Sequence, residues 1–470
     1  RAILALGAFG YDWNDAGGRL NGRAMTFQEM MSAVRARGAV VHFDPVALNP
    51  YAAWHDPDST SHVAWFLDAA TGWNHLSAVA HLNVAGAALW RLGAEDPALW
   101  ALLDRSTTPP SPKDIESIPA GYQVEFDGAG ELLRLEVPPT GGTRVVRIDP
   151  ARNLIVAESL TTYPSPWVIQ RFGDAEGKVA LTFDDGPDAR WTPDILDTLR
   201  SRGAPATFFV VGRDVDEYPS LLRRIYREGH EVGNHTYTHR NLALTAPWIA
   251  RLELVANERI IETVLDRRTA LFRPPYFGDA EPTTADELEP VAIATGLGYI
   301  TVGVHIDSED WRLRDPAMII AQTLHSRREG NNIVLMHDSG GDRTATVAAL
   351  GPIIDSLRAR GDTLVLASEL AGIPRDVAMP PLPRRSMAQR WVDIVAFGAI
   401  GAVDWGLYWL FFVAVVLGVG RLLFILVLAF IQRMRRRVMP HADFAPPVTI
   451  VVPAFNEGKV IVNTVTSLLA

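Results

Sequence analysis

The sequence contains no cysteine, which excludes disulfides and thiolate metal sites and leaves the redox compartment open. Basic residues are outnumbered, with Lys+Arg 44 against Asp+Glu 54 and a net charge of -10. No broad basic surface is on offer, so a nucleic-acid partner is excluded. Residue 1 is Arg, with no initiator Met and no signal-peptide pattern, and the chain stops at Ala470 inside a helical pattern. It therefore reads as a fragment of a longer polypeptide that could have lost a leader. There is no repeat of fixed period. At 470 residues the chain exceeds what one ordinary core needs, so two to four units are expected.

What is present alternates. Over 1–105, AILALGAFGYDW reads as a strand, FQEMMSAVRARG as a helix, AVVHFDP as a strand, HLSAVAHLNVAG as a helix and AALWRL as a strand. Such alternation predicts a parallel sheet covered by helices. The stretch 106–170 is rich in Pro and Gly, with short strands at YQVEFD, LLRLEV and TRVVRI, and is expected to be a β-rich connector. From Lys178 the β/α pattern resumes, with strands at KVALTF, ATFFVV, HEVGNH, YITVGV and NIVLMH and helices at PDILDTLRSRG and SLLRRIYREG. Units of this kind favour a barrel or an open doubly wound sheet.

A Pro-rich hinge, PRDVAMPPLPRR at 374–385, precedes an apolar run at 405–431 whose one charge is Arg421. The run exceeds the roughly 20 residues a bilayer needs, so a transmembrane helix is expected there. Two spans parted at Asp404 would require a tight hairpin.

Five short motifs carry chemistry. TFDDGP, Thr182–Pro187, ends a strand with two adjacent carboxylates whose repulsion calls for a cation or an Arg. His235-Thr-Tyr-Thr-His239 is expected to place an i, i+4 His pair on one face of a helical turn. With Asp185 it supplies two nitrogens and one oxygen and leaves a position for water, as in a catalytic zinc site. Arg273-Pro-Pro-Tyr276 holds a guanidinium on stiff backbone, where it could keep a carboxylate ionised. Asp307-Ser-Glu-Asp310-Trp311 offers an acid beside an aromatic as partner for a histidine, and Leu335-Met-His337-Asp338 closes an apolar strand. Together these are the parts that metal-assisted hydrolysis requires.

In this order, TFDDGP, HTYTH, RPPY, DSEDW and LMHD resemble the five motifs of the NodB-type polysaccharide deacetylases, carbohydrate esterase family 4, over residues 171–376. The resemblance implies a distorted (β/α) barrel that hydrolyses N-acetyl groups of a β-linked N-acetylglucosamine polymer or chitooligosaccharide, releasing acetate. It implies Asp185, His235 and His239 as ligands of a divalent metal, Zn²⁺ first, with Co²⁺ or another ion as alternatives. Asp184 would be the general base, Arg273 its orienting partner and His337 the general acid. Asp310, rather than Asp307, would support His337. The backbone N–H near Tyr276 would help hold the oxyanion, and Trp311 and Leu335 would wall the acetyl pocket. A peptidoglycan deacetylase, a related amidase on another C–N bond, and a non-catalytic carbohydrate-binding fusion are the alternative readings.

The flanks add context. Residues 1–105 resemble the C-terminal part of a family 18 glycoside hydrolase (chitinase-like) barrel through GYDW at Gly10–Trp13 and GAALWRLGAEDP around Trp90. Tyr11, Asp12 and Trp90 match sugar-lining positions of that family, but its DxxDxDxE signature is absent, so that activity is not assigned. Residues 441–470, with VPAFNE, resemble the start of a Rossmann-like family 2 glycosyltransferase, which would take a nucleotide-sugar. Between them lie the hinge and membrane-proximal segment, 377–404, and the apolar run. Arg433, Arg435, Arg436 and Arg437 directly after the run outweigh the more distant Arg384, Arg385 and Arg390, which have Asp393 and Asp404 between them and the run. This asymmetry predicts the deacetylase outside and residues after 432 in the cytoplasm, and the module order, which resembles a bacterial fusion, implies a bacterial inner or cell membrane.

Overall fold

The computed structural model describes residues 2–382 except 17, 18, 58, 59, 83, 104–109, 122, 277 and 329, together with 387–435 and 461–469. It divides into two compact units, 1–397 and 398–470.

In the N-terminal stretch, β1 (Ile3–Gly7) and β7 (Gly86–Trp90) pair in parallel. Between them in sequence lie β2 (Gly10–Ala16), β3 (Arg19–Met25), β4 (Val41–Asp44), β5 (Asn49–His55) and β6 (Ser61–Phe66). These five form one sheet of order β3-β2-β6-β5-β4, antiparallel at every pair. The expected parallel pairing holds for β1 and β7, but AVVHFDP falls in the antiparallel sheet, so the single helix-covered parallel sheet is corrected. β2 ends at Ala16 and β3 begins at Arg19, and β5 ends at His55 and β6 begins at Ser61. Such connections are shorter than the dozen or so residues a parallel crossover needs. AILALGAFGYDW is likewise two strands, not one. The helix Phe27–Arg37 starts at a Thr26–Glu29 capping box and buries Met30, Met31 and Val34 against Val41, Ala52 and Phe66 on one face of the sheet. Asp12 lies in this buried layer, 2.8 Å from His62 Nδ1, whereas Tyr11 stacks on Trp13 at the other face.

The stretch expected to be a connector divides between two sheets. β8 (Ser117–Ile118), β11 (Gly142–Asp149) and β12 (Leu154–Thr162) form a three-stranded sheet. It is tied to the N-terminal layer by fully buried Arg144, whose Nη1 meets Asp68 at 2.8 Å and Glu158 at 2.9 Å and whose Nη2 meets Asp96. In contrast, β9 (Val124–Gly128), β10 (Leu132–Val137) and β13 (Trp167–Phe172) join the large sheet that follows.

That sheet is built on parallel strands β14 (Lys178–Asp184), β15 (Thr207–Val210), β16 (Glu231–Asn234), β17 (Leu271–Phe272), β18 (Ile300–Val302), β19 (Ile306–Asp307) and β20 (Ile333–His337). Their order is β19-β20-β14-β15-β16-β17-β18, with β21 (Thr363–Val365) alongside the start of β14. β10 then pairs antiparallel with β18. Alternate residues of β14 go to different cores. Val179, Leu181 and Phe183 pack with Ile195, Leu199, Ile353 and Leu357 of the flanking helices. Ala180 packs with Phe209, Leu271, Ile300, Ile333 and, from β10, Leu132. Residues of β10, β14, β17, β18 and β20 therefore share one interior, and each buried Leu, Ile or Phe contributes about 1.5–3 kcal/mol. The seam between β18 and β20 carries no strand pair among the described residues. Buried Glu131 spans it instead, accepting the backbone N–H groups of His305 at 2.7 Å, Asn332 at 2.5 Å and Ile333 at 2.8 Å.

One helix runs from Met387 to Arg435 without a break at Asp404, so the hairpin alternative is not adopted. Its segment Gly406–Met434 has 29 residues, its most apolar 18-residue stretch has a mean hydropathy of 2.7, and it is long and apolar enough to cross a membrane by length and composition. Arg384, Arg385, Arg436, Arg437 and the VPAFNE motif lie outside the described residues. Beyond them the helix Ile461–Leu469 is described.

Candidate active site

The carboxyl ends of β14, β16, β17 and β20 converge on one cavity, the place where parallel sheets leave side chains free for chemistry. Asp184 and His337 are the last residues of adjacent strands β14 and β20 and lie opposite one another in register. Asp184 is 4 % exposed and Arg273 is 1 % exposed. Arg273 Nη1 donates to Asp184 Oδ1 at 2.8 Å and to Thr182 Oγ1 at 2.7 Å, and Nε donates to the carbonyl of Val302 at 3.1 Å. The guanidinium carbon sits 4.3 Å from the Phe209 ring centroid. The guanidinium expected from sequence to hold a carboxylate is therefore fixed from three sides, and Asp184 Oδ2 is left facing the cavity.

One residue on, Asp185 takes φ 76° and so turns away from the strand direction. Its Oδ1 lies 3.4 Å from His235 Nε2 and 2.9 Å from His239 Nε2. Ligand atoms of these three residues all lie within 4.8 Å of one another. The His pair is not on a helical turn, which corrects the sequence expectation. Residues 235–239 form an irregular loop after β16, with Thr236 at φ 65° and His239 at φ 56°. A helical turn would need negative φ throughout, and strained backbone of this kind is held only where surroundings enforce it.

His235 Nδ1 donates to the carbonyl of Arg273 at 2.8 Å, which leaves Nε2 a lone pair aimed at Asp185. Two acceptors facing each other at 3.4 Å call for a cation between them, so the donor set fits a divalent metal. Burial alone would raise the Asp185 carboxyl; positive charge in this set, whether protons on the two imidazoles or a cation in their place, holds it below the usual carboxylate range.

Across the cavity, His337 Nδ1 pairs with Asp310 Oδ1 at 2.7 Å, and Asp310 Oδ2 accepts the His337 backbone N–H at 2.9 Å. Burial disfavours the charged imidazole. The Asp310 hydrogen bond and charge, with smaller contributions from Asp184 and Asp185, outweigh it and push His337 up to about 9. The same pairing overcomes burial and holds Asp310 below its ordinary value. Asp307 has a different partner: it accepts from Trp311 Nε1 at 3.3 Å.

The cavity, of about 420 Å³, is lined by these groups together with Tyr276, Trp311 and Leu335. Tyr276 takes φ 70°, is 69 % exposed and has its ring centroid 5.0 Å from that of His239. Every site residue singled out from the five motifs is thus at or directly behind one cavity.

Sequence reasoning missed the supports. Thr346 Oγ1 donates to Asp310 Oδ2 at 2.8 Å, and buried Arg343 donates to the Asp310 carbonyl at 2.9 Å and to Ser339 and Gly340 carbonyls. Asp338, fully buried, accepts from Thr192 Oγ1 at 2.5 Å and packs against Gly186. Burial, with the nearby charges of Asp185 and Asp184, pushes its carboxyl up to about 7. Only Asp338 had a signal, its place in the LMHD motif.

Residues 173–295 match the family model described as polysaccharide deacetylase. The chain is 36% identical over 211 residues to a peptidoglycan-N-acetylglucosamine deacetylase of Bacillus cereus, covering 44% of this chain and 94% of that protein. It is 37% identical over 208 residues to a chitooligosaccharide deacetylase of Bradyrhizobium, covering 41% and 91%. Against the peptidoglycan-N-acetylglucosamine deacetylase PgdA of Listeria monocytogenes it is 32% identical over 195 residues, covering 42% of this chain and 39% of that one. The solved structure of peptidoglycan deacetylase PdaC from Bacillus subtilis is 33% identical, covering 42% of this chain and 90% of that one, at a TM-score of 0.36. The chain belongs to the polysaccharide deacetylases, the carbohydrate esterase family 4 hydrolases.

Proposed function

We propose that the domain at 171–376, whose curled sheet we read as a distorted (β/α) barrel, hydrolyses N-acetyl groups of an N-acetylglucosamine polymer or chitooligosaccharide. The observation that carries this reading is the pairing of two proton-transfer groups across one cavity. Asp184 presents Oδ2, 3.9 Å from His235 Nε2, on one side, His337 presents Nε2 on the other, and the Asp185–His235–His239 set lies beside them.

A divalent ion in that set, Zn²⁺ first, would polarise the acetamide carbonyl and lower the pKa of bound water. Asp184 Oδ2 removes a proton from the attacking water, while Arg273 holds Oδ1 and fixes the carboxylate's direction. The new C–O bond forms at the carbonyl carbon. The backbone N–H of Tyr276 is offered to the carbonyl oxygen as charge develops there. The C–N bond then breaks as His337 Nε2 gives its proton to the departing amine, leaving acetate and a free amino sugar. Asp310 keeps His337 charged until that step. Trp311 and Leu335 wall the acetyl group.

The flanks extend the proposal. We read 1–105 as part of a chitinase-like barrel and 441–470 as the start of a transferase on nucleotide-sugar, separated by a membrane span. Deacetylation would then act on a polymer as it is made. A second reading, peptidoglycan as substrate, draws support from the name of the Bacillus cereus relative.

Acetate release from chitooligosaccharides and from peptidoglycan, with bound metal quantified, tests both. Faster release from chitooligosaccharides is expected. Faster release from peptidoglycan favours the second reading, and no release from either by metal-loaded protein overturns the proposal.

A further inference from the structure

The metal loop is an unusual piece of backbone to leave unsupported. Between His235 and His239 it is neither helix nor strand, and two of its residues take positive φ. Left-handed Thr is costly, because its branched Cβ crowds the backbone, and such strain persists only where neighbours over-determine it. The loop's polar groups account for the enforcement. The carbonyls of Thr236 and Tyr237 accept from the N–H groups of Gly212 at 3.0 Å and Arg213 at 2.9 Å. The N–H of Thr236 donates to Asn234 Oδ1 at 2.9 Å.

Three further donors converge on one side chain. Tyr237 N–H donates to Glu253 Oε2 at 3.0 Å, Thr238 N–H donates to the same oxygen at 2.8 Å, and Thr238 Oγ1 donates to Glu253 Oε1 at 2.8 Å.

We propose that Glu253 is a positioning residue for the metal site, clamping the 235–239 loop in the conformation that turns both imidazoles toward Asp185. The inference rests on reading Asp185, His235 and His239 as metal ligands. Glu253 is 7 % exposed and sits on the rigid helix Pro247–Leu265, one turn before Asn257. Asn257 completes the grip, with Nδ2 donating to Val210 O at 2.8 Å and to Asn234 Oδ1 at 2.9 Å. A carboxylate suits the task because three donors arrive at two oxygens, and hydrogen bonds to an ionised acceptor are the stronger kind. The nearest cation, Arg240 Nε, stands 3.9 Å away, so the loop itself is the main partner of this charge. Neither Glu253 nor Asn257 lines the cavity, so the effect runs through the loop that carries the ligands.

The test is metal affinity, measured on the full chain with Zn²⁺ by competition against a chromogenic chelator, and the absorption spectrum of the Co²⁺ form. Glu253→Ala is expected to weaken Zn²⁺ binding by about 10–100-fold, the usual cost of losing a group that orients ligands. The Co²⁺ bands should change, and excess metal should restore much of kcat with KM unmoved. Glu253→Gln keeps an acceptor for the two N–H groups and should fall between wild type and Ala. It also serves where Ala does not fold. Glu262→Ala, on the same helix but bonded to Arg259 and Arg268, should cost stability without altering Zn²⁺ affinity. Wild-type Zn²⁺ affinity in folded Glu253→Ala or, where Ala does not fold, in Glu253→Gln overturns the clamp, as does an equal loss in Glu262→Ala. Failure of the wild-type chain to bind either ion overturns the metal reading itself.

Discussion

His337 and Asp310 are joined twice, by side chain at 2.7 Å and by the His337 backbone N–H at 2.9 Å, so the acid that charges the imidazole also fixes its position. With burial opposing and Asp310 prevailing, His337 stays protonated up to about 9. A general acid must carry its proton, so activity should fall on the alkaline side as His337 titrates. Asp184 and Asp185 contribute to the raised value, and a bound divalent ion would cancel part of their effect, so the loaded enzyme should lose activity somewhat below 9. Asp310→Asn removes the main stabilising charge. Its alkaline limb should move toward the ordinary histidine value of about 6.5, seen in kcat/KM against pH. An unmoved limb would deny His337 the acid's role.

In the proposed mechanism the base, Asp184, and the ligand, Asp185, are separable although they are adjacent in sequence. Asp184→Asn should keep metal, because Asp185, His235 and His239 remain, yet lose turnover by roughly 10²–10⁴-fold. His239→Ala should lose metal along with activity, and added Zn²⁺ should recover little. Metal content alongside acetate release checks both. Near-normal turnover in Asp184→Asn would assign the base elsewhere.

Gly186 is constrained by space, not by its φ. A Cβ there would lie 2.2 Å from Asp338 Oδ2 and 2.3 Å from Oδ1. Asp338 is held by Thr192 and fully buried, so it has no room to retreat. Gly186→Ala should destabilise the domain by about 1–3 kcal/mol, as overpacking generally does, and displace the Asp184–Asp185 turn. Thermal unfolding of the variant checks this, and unchanged stability would show that the turn yields freely.

The membership of the candidate site was legible because its residues are reactive types in short runs at strand ends: Asp184-Asp185, His235 to His239, Arg273 and His337. Their conformation was not. The spacing of His235 and His239 fits a helical turn, but it fits equally a loop with left-handed Thr236, and nothing local distinguishes them. The strands β14 and β20 show as apolar runs because both their faces are buried. That β10 pairs with β18 depends on partners far along the chain, so the stretch 106–170 read as a separate connector. Alternation in Tyr11-Asp12-Trp13 revealed a two-faced strand but not its direction, and the antiparallel sheet was missed. Supports such as Arg343 and Thr346 are single polar residues in helical or loop sequence, and only their burial beside Asp310 gives them meaning.

The charges flanking the apolar segment predict which side of a membrane the deacetylase domain faces. The apolar segment Gly406–Met434 ends where Arg433, Arg435, Arg436 and Arg437 begin, while the arginines before it stand further off with Asp393 and Asp404 between. Positive residues close to a span favour the cytoplasmic side, so residues from 433 onward should be cytoplasmic and the deacetylase outside. The unbroken helix through Asp404 favours one crossing over a hairpin. Arg421 opposes an isolated span, since a charge at mid-membrane is costly and usually faces protein or water. It would be accommodated by further membrane helices packed against this one. Reporter fusions at residue 380 and at residue 445 should give an external signal at the first and a cytoplasmic signal at the second. A cytoplasmic signal from both would place the deacetylase on the nucleotide-sugar side and remove the basis for deacetylation of an exported polymer.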